Sequence, residues 1–468
     1  MGLLTQWFDP EPGPAALPGV LARGLARRGH EVTVLTGFPN YPHGHLTHGY
    51  SMAGLSPRHP RLVEESDGVR VVRVPLYPSH DASFARRALN YASFGASAAL
   101  AGGPGLRDLN ALWVNYSPIT VAAPMWRARF AAGVPLVVHV ADLWPDTVWA
   151  GGFAPEQRAG RTVGGSRGGS HDSSVSGSMS GSISSAVNTV ASRAIRGGLD
   201  AWCRAMYASA HTVTYISPGV RDILAQRGVP EHKLAFAPMW AEESTFAPAT
   251  PQVAQRAAQW RRELGIGPEE VLVLYAGAIG HAQGLQTLVE AALAVTDRPL
   301  RVVIAGSGTA LADLEDLAAT SSSTSPGMSP GASGRVTFVG RVDQSQMPVL
   351  MAAADACYVG LSRDRLSAVT MPSKTQATMA AGRPLVVSAD GDVAAVVDEA
   401  GAGWTTGSGD IAGLTGILRA VCDSGPQERE ERGRRGRGAY EATFSVERAV
   451  DRAEAHLVQA ARSRRGRR

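Results

Sequence analysis

VLVLYAGAIGHAQGLQTLVEAALAV, residues 271–295, is the stretch from which the fold can be read. Residues 271–275 form an unbroken, non-alternating apolar run, the pattern of a parallel strand covered on both faces. Ala276-Gly277-Ala278-Ile279-Gly280-His281-Ala282-Gln283-Gly284 follows as a glycine-rich turn, and a helical apolar period begins at Leu285. A strand, a glycine turn and a helix N-terminus make an anion site, because unpaired backbone N–H groups and the helix dipole both point at the turn. A second such turn, Ala305-Gly306-Ser307-Gly308-Thr309, follows the apolar run 300–304. Two of these turns in one domain point to a nucleotide phosphate site, although neither has the GxGxxG spacing and no GKS/T P-loop occurs.

The same alternation runs outward in both directions. Strand-like runs occupy residues 3–5, 32–36, 69–74, 111–114, 135–140 and 212–216, and then 271–275, 300–304, 336–339, 356–359 and 384–387. Helical segments such as 17–28, 286–295 and 348–354 lie between them. Repeated βα units mean doubly wound sheets, and five or six strands in each half predict an α/β protein with two Rossmann-like domains facing across a cleft. The expected boundaries are 1–240 and 241–440, with a helix and basic tail at 441–468 packing back on the first domain. Residues 160–185 and 319–334 are dominated by Gly, Ser, Thr and Pro and read as flexible inserts that bury too little to offset their ordering entropy.

The composition narrows the function. Of 468 residues, 44% are hydrophobic and 18% charged, as in an ordinary globular protein large enough for two or three domains. Cys203, Cys357 and Cys422 are far apart, which excludes a disulfide framework and a zinc knuckle and suits a reducing compartment. No apolar run reaches membrane-spanning length and the opening residues carry no signal-peptide pattern, so cytoplasmic residence is expected. Arg462, Arg464, Arg465, Arg467 and Arg468 make a basic end that suits either solvent or the anionic inner face of a membrane. Nucleic acid is not expected as a partner.

Candidate site residues fall where strands end. For the phosphate-bearing ligand they are Gly277, Gly280, Gln283, Gly284, Gly306 and Ser307 in the two turns, and Ser373 and Lys374 in MPSKTQATMAAGRP, residues 371–384. There Pro372 and Ser373 start a helix with Ser373 as its cap, so Lys374 sits in the first turn. The helix dipole disfavours a cation at that position, which is explained if lysine and helix share an anion. Asp390 and Asp392, just past a strand, are further candidates for contacting that ligand or ordinary turn residues. In the first half, Asp9, Glu11 and Gly13 follow the first strand, and Asn40 and Tyr41 lie in the polar, aromatic loop 37–44. Asp142 and Trp144 belong to DLWPD, where a carboxylate beside an indole can hold a ligand's hydroxyls or take a proton. Asp142 is the leading catalytic candidate, Glu11 the next, and Gly13, Asn40, Tyr41 and Trp144 are candidates for binding a second ligand in this half. His139, inside a strand, reads as a buried, hydrogen-bonded histidine.

PSKTQATMAAGRPLV, followed by SADGDVAAVVDEAGAG, resembles the donor half of family-4 glycosyltransferases, in a fucosamine-transferase-like (WbuB-like) branch. TQWFDPEPG, LARRGHEVTVLTGFPNYPHG, LNYASF, DLWPD and ISPGVRDILAQRGVP resemble that branch's first-half landmarks in the same order. The resemblance implies a GT-B fold and a retaining, metal-independent transferase. It also implies a nucleotide-sugar donor, UDP by analogy, and a glycan or lipid-linked glycan acceptor in cell-surface polysaccharide synthesis, with no cofactor and no metal ligand. Two glutamates common in the family correspond here to Val369 and Ala377, its usual basic pair to Ala278 and Gln283, and a histidine to Ala141. Their absence keeps two alternatives open, a catalytically inactive sugar-nucleotide-binding subunit and a GT-B epimerase.

Overall fold

The computed structural model describes residues 1–12, 17–80, 83–148, 178–320 and 335–465. The chain forms two compact units, one of Met1–Tyr215, Ile223–Ala235 and Ala453–Arg468, the other of Ile216–Asp222 and Phe236–Arg452.

The first unit is built on β1 (Gly2–Leu4), β2 (Val32–Gly37), β3 (Leu62–Ser66), β4 (Val69–Val74), β5 (Leu112–Asn115), β6 (Leu136–Val140), β7 (Thr212–Tyr215) and β8 (Leu234–Phe236). They lie in one sheet in the order β3-β4-β2-β1-β5-β6-β7-β8. Parallel pairing runs from β4 through β2, β1, β5 and β6 to β7. β6 is buried at every residue, which its sequence LVVHV requires of a strand covered on both faces. β3 returns antiparallel on β4 through Asp67 and Gly68, whose φ of 51° and 76° give the left-handed two-residue turn that suits a hairpin.

The second unit holds β9 (Val271–Ala276), β10 (Leu300–Ala305), β11 (Val336–Gly340), β12 (Ala356–Gly360), β13 (Leu385–Ser388) and β14 (Gly403–Thr406). All five pairings in the order β11-β10-β9-β12-β13-β14 are parallel. This is the dinucleotide-fold order, which reverses between its first and fourth strands, here β9 and β12. Alternate side chains of β9 enter different cores. Val271, Val273 and Tyr275 pack with Leu288 of helix Leu285–Ala294 and Leu418 of helix Ile411–Asp423. Leu272 and Leu274 pack with Val349 and Leu350 of helix Met347–Ala353 and with Ala257 of helix Pro251–Glu263. Helices therefore cover both faces, and the strand ends are left to form loops.

The C-terminal helix Val446–Arg465 passes into the first unit, where Glu454 pairs with Arg28 at 2.7 Å and His30 at 2.6 Å. Its Leu457 and Ala460 have no exposed surface. Three strands were not anticipated from the sequence, β3, β8 and β14. Residues 178–185, expected as part of a loop, belong to helix Ser178–Ser209, and 319–320 end helix Leu311–Thr320. The rest of both low-complexity stretches lies outside the described residues, as does Gly13. Among the described residues no helix is long and apolar enough to cross a membrane.

Candidate active site

The turn after β9 sits where the strand order of the second unit reverses, the place where open α/β sheets bind ligands. Its shape depends on missing side chains. A Cβ on Gly277 would lie 2.4 Å from Lys374 Cε, and one on Gly306 would lie 1.8 Å from the Gly277 carbonyl oxygen. The first glycine makes room for the lysine, and the second makes room for the first turn. The Gly277 N–H donates to Ala305 O at 2.9 Å and the Ile279 N–H to Ser307 O at 2.9 Å, joining the two turns. The Ser307 residue is exposed beside them.

Gln283 turns its side-chain oxygen inward to accept the Gly280 N–H at 3.0 Å, so that oxygen shapes the turn. Gly284 takes a left-handed φ of 57° and its carbonyl accepts the Tyr358 hydroxyl at 3.2 Å, while the Ser362 N–H donates to Ala282 O at 2.9 Å. These bonds hold the loops after β9 and β12 against each other.

Helix Ser373–Ala380 supplies the cation. Its N-cap is Pro372 and no side chain caps it, which corrects the expectation that Ser373 would do so; Ser373 lies one residue inside the helix and is exposed. Lys374 is therefore a first-turn residue beside uncapped N–H groups. Its Nζ lies 5.1 Å from the centre of the Tyr275 ring, a cation–π contact. Among the described residues it has no carboxylate partner, and burial pushes its pKa below the usual lysine range. A half-buried ammonium placed on a glycine turn and a helix N-terminus is set to receive an anion.

The positions matching the family's glutamates carry no charge. Ala377 is packed in the apolar cluster around Met379 and Val387, and Val369 offers only its carbonyl, to the Ser217 hydroxyl at 2.8 Å. Asp390 and Asp392, expected near the donor, are engaged by the chain itself. The Asp390 carboxylate accepts the Ser408 N–H at 3.2 Å while its own N–H donates to Ser408 Oγ at 3.2 Å. The Asp392 carboxylate accepts the Gly219 N–H at 2.8 Å, at the start of helix Pro218–Gln226. Both serve as turn and capping groups. Gln376, which sequence reasoning passed over, is buried with neither end of its amide bonded, and the Thr375 hydroxyl is likewise unpartnered among the described residues.

In the first unit the loops after β1, β2, β5 and β6 carry the candidates. Glu11 is buried and accepts three backbone N–H groups, from Phe8 at 3.0 Å, Asn40 at 2.8 Å and Tyr41 at 2.9 Å. Burial raises its carboxyl pKa, while those N–H groups and the charge of Arg73 oppose the rise. Glu11 thus pins two loops together, a different task from the catalytic one expected of it. Asp9 pairs with Arg23. Asn40 is buried, donating to Phe38 O at 3.0 Å and accepting from Asn90 at 3.3 Å, so its amide faces the protein and not an acceptor. Tyr41 makes an edge contact with His80 at 4.7 Å between ring centres.

Asp142 is the exposed carboxylate of this group. Neighbouring chain crowds it, and the lost hydration raises its pKa, with a hydrogen bond from Ser117 working against the rise. Ser117 also accepts the Trp144 indole N–H at 3.4 Å. Indole, hydroxyl and carboxylate therefore form a chain that orients Asp142. The Trp144 carbonyl is held by Arg227 at 2.6 Å, and Arg227 pairs with Asp146. His139 is buried, stacked on Trp113 at 5.4 Å and 2.9 Å from the Thr214 hydroxyl, and burial lowers its pKa to about 4. Ser117 and Tyr275 had no signal in the sequence, since each acts through a neighbour far away in the chain. Among the described residues no group of three or more His, Cys, Asp or Glu side chains gathers as a metal site.

Two Rossmann-like units in one chain, the second with glycine turns and an anion-seeking lysine at its switch point, define the GT-B architecture. Residues 13–168 match the Glycosyl transferase 4-like domain and residues 270–423 match the Glycosyl transferases group 1 domain. WcaI of Escherichia coli (strain K12), whose name assigns it to colanic acid biosynthesis as a glycosyl transferase, is 25% identical over 386 residues, 82% of this chain and 81% of WcaI. Sucrose-phosphate synthase from Thermosynechococcus elongatus shares the fold with a TM-score of 0.62 at 19% identity, over 98% of each chain. Anabaena HepE, in a complex with UDP and glucose, shares it with a TM-score of 0.59 at 15% identity, again over 98% of each. The chain is a glycosyltransferase of the GT-B type.

Proposed function

We propose that the enzyme moves a sugar from a UDP-sugar to a glycan or lipid-linked glycan acceptor in cell-surface polysaccharide synthesis, with retention and without a metal ion. The observation that carries this reading is the Lys374 ammonium, half-buried on Gly277 and Tyr275 with no acid beside it. A departing nucleoside diphosphate gains negative charge as the glycosidic bond breaks. Lys374 and the uncapped start of helix Ser373–Ala380 supply positive charge at that place, the role a metal plays elsewhere. Asp142, exposed and oriented by Ser117 and Trp144, handles the acceptor hydroxyl, and the upward direction of its pKa favours its taking a proton.

UDP is supported by the HepE complex and polysaccharide synthesis by the name of WcaI. Retention and the fucosamine-transferase-like branch rest on the resemblance of residues 371–384. The basic C-terminal stretch suits an acceptor presented at an anionic membrane face. Val369 and Ala377, uncharged where relatives carry glutamates, favour a second reading, a subunit that binds sugar nucleotides without turnover.

Calorimetric titration with UDP tests the carrying observation. Lys374→Ala should weaken binding by about 1.5–3 kcal/mol, the scale of a charge-assisted hydrogen bond. Unchanged affinity in a folded variant would remove Lys374 from the donor site. Transfer activity should also survive EDTA, and a loss restored by Mg²⁺ or Mn²⁺ would overturn metal independence.

A further inference from the structure

At the N-terminal ends of its strands, opposite the loops that carry Asp142, the first unit has a second cleft, of about 760 Å³. It opens below the starts of β6, β7 and β8, between the end of helix Ser178–Ser209 and the last turns of helix Val446–Arg465. Arg129, Lys233, Arg464, His211, His232 and His456 line it, and no Asp or Glu does. None of the three permanent cations pairs with a carboxylate among the described residues. Lys233 donates to Ala208 O at 2.9 Å, Arg129 through Nε to Ser209 O at 3.3 Å, and Arg464 to Ala132 O at 2.7 Å.

The ordinary reading is that these side chains cap helix ends, and two of the carbonyls do belong to the last turn of helix Ser178–Ser209. That accounts for one hydrogen bond each from Lys233 and Arg129 and for two from Arg464, to Ala132 O and Leu109 O, but not for the charge. The two helix C-termini together contribute roughly one negative charge, against three full cations. The imbalance is felt inside the cleft, since burial and the charge of Arg129 both push the Lys233 pKa down.

We propose that this cleft is a second ligand site of the enzyme, specific for the phosphate or diphosphate of a phosphorylated compound. Two guanidinium groups and an ammonium lining one cleft match a multiply charged, oxygen-rich anion, which guanidinium binds with paired N–H donors. The volume suits a ligand of sugar-phosphate or nucleotide size, or the headgroup phosphate of a lipid. The site is independent of Lys374 and Asp142, and of its three cations only Arg464 also belongs to the basic C-terminal stretch.

The test is calorimetry of the full chain with inorganic pyrophosphate, carried out in the Lys374→Ala background so that the donor site is weakened and the cleft dominates the binding. One pyrophosphate should bind per chain, and adding Arg129→Gln with Lys233→Gln should weaken it by about tenfold or more, the loss expected when two charge-assisted contacts go. Circular dichroism checks that the variant is folded; if it is not, Lys233→Gln alone should still weaken binding by about threefold or more. Vesicles of phosphatidylcholine with phosphatidylglycerol distinguish the sources. Vesicle binding that pyrophosphate displaces and the same substitutions abolish makes the ligand a lipid headgroup; pyrophosphate binding with no vesicle binding makes it a soluble phosphate compound. Absence of pyrophosphate binding, or binding indifferent to Arg129 and Lys233, overturns the proposal, whatever the vesicles do.

Discussion

At the scale of single residues, burial decides which titratable groups matter. His139 looked like a core histidine because it lies within an apolar run, and it is buried against Trp113. Its pKa of about 4 in the folded chain, below the ordinary 6.5, fixes a sign. As pH falls from about 6.5 to about 4, unfolded chains take up a proton that folded ones refuse, so stability falls across that window, by about 3 kcal/mol if the whole shift is realised. Urea unfolding at a series of pH values should show this slope, and His139→Phe, which keeps an aromatic ring on Trp113, should flatten it. An unchanged slope in the variant would place the acid sensitivity elsewhere. Glu11 shows the limit of sequence reading at this scale. Its position after β1 was legible, but three backbone N–H groups arrive from residues near and far, and only the folded chain reveals that its oxygens are occupied.

At the scale of elements, the turns after β9 and β10 were readable because their chemistry is local. Strand, glycines and helix start are consecutive, and each glycine has a steric reason. Gly306→Ala would drive a Cβ to 1.8 Å from Gly277 O, so the backbone must shift, at a cost of about 1–3 kcal/mol by analogy with overpacking. The melting temperature and UDP affinity of this variant should fall together. Gly416→Ala is the control: it lies inside helix Ile411–Asp423 with open space around it and should be neutral or stabilising by about 0.5–1 kcal/mol. A Gly306→Ala protein with normal stability and affinity would mean that the two turns do not need their close approach. The strands missed in the sequence had weaker signals. β3 buries no residue, so no apolar pattern marks it, and the Asp67-Gly68 turn is its one local signal. β8 and β14 are short and only partly buried. Residues 178–185 were misread from composition alone. Extending an existing helix by a residue costs far less than nucleating one, so glycine and serine can continue a helix they would not start.

At the scale of the whole molecule, repeated βα units announced two Rossmann-like domains, and the parallel order of the second sheet fixes where its ligand goes. The return of the C-terminal helix to the first unit depends on contacts such as Glu454 with Arg28 and His30, more than 400 residues apart, which no local pattern encodes. The proposed chemistry divides the labour: Lys374 in the second unit receives the donor diphosphate, and Asp142 in the first acts on the acceptor. Steady-state transfer from a UDP-sugar by Asp142→Asn, measured beside UDP affinity on the same preparation, tests it most directly. Turnover should fall by about 10²–10⁴, the usual worth of a general acid or base, with UDP affinity unchanged. Undiminished turnover, or an equal loss of turnover and affinity, would contradict it, and a parent protein that binds UDP-sugars without turning any over would leave the binding-subunit reading standing.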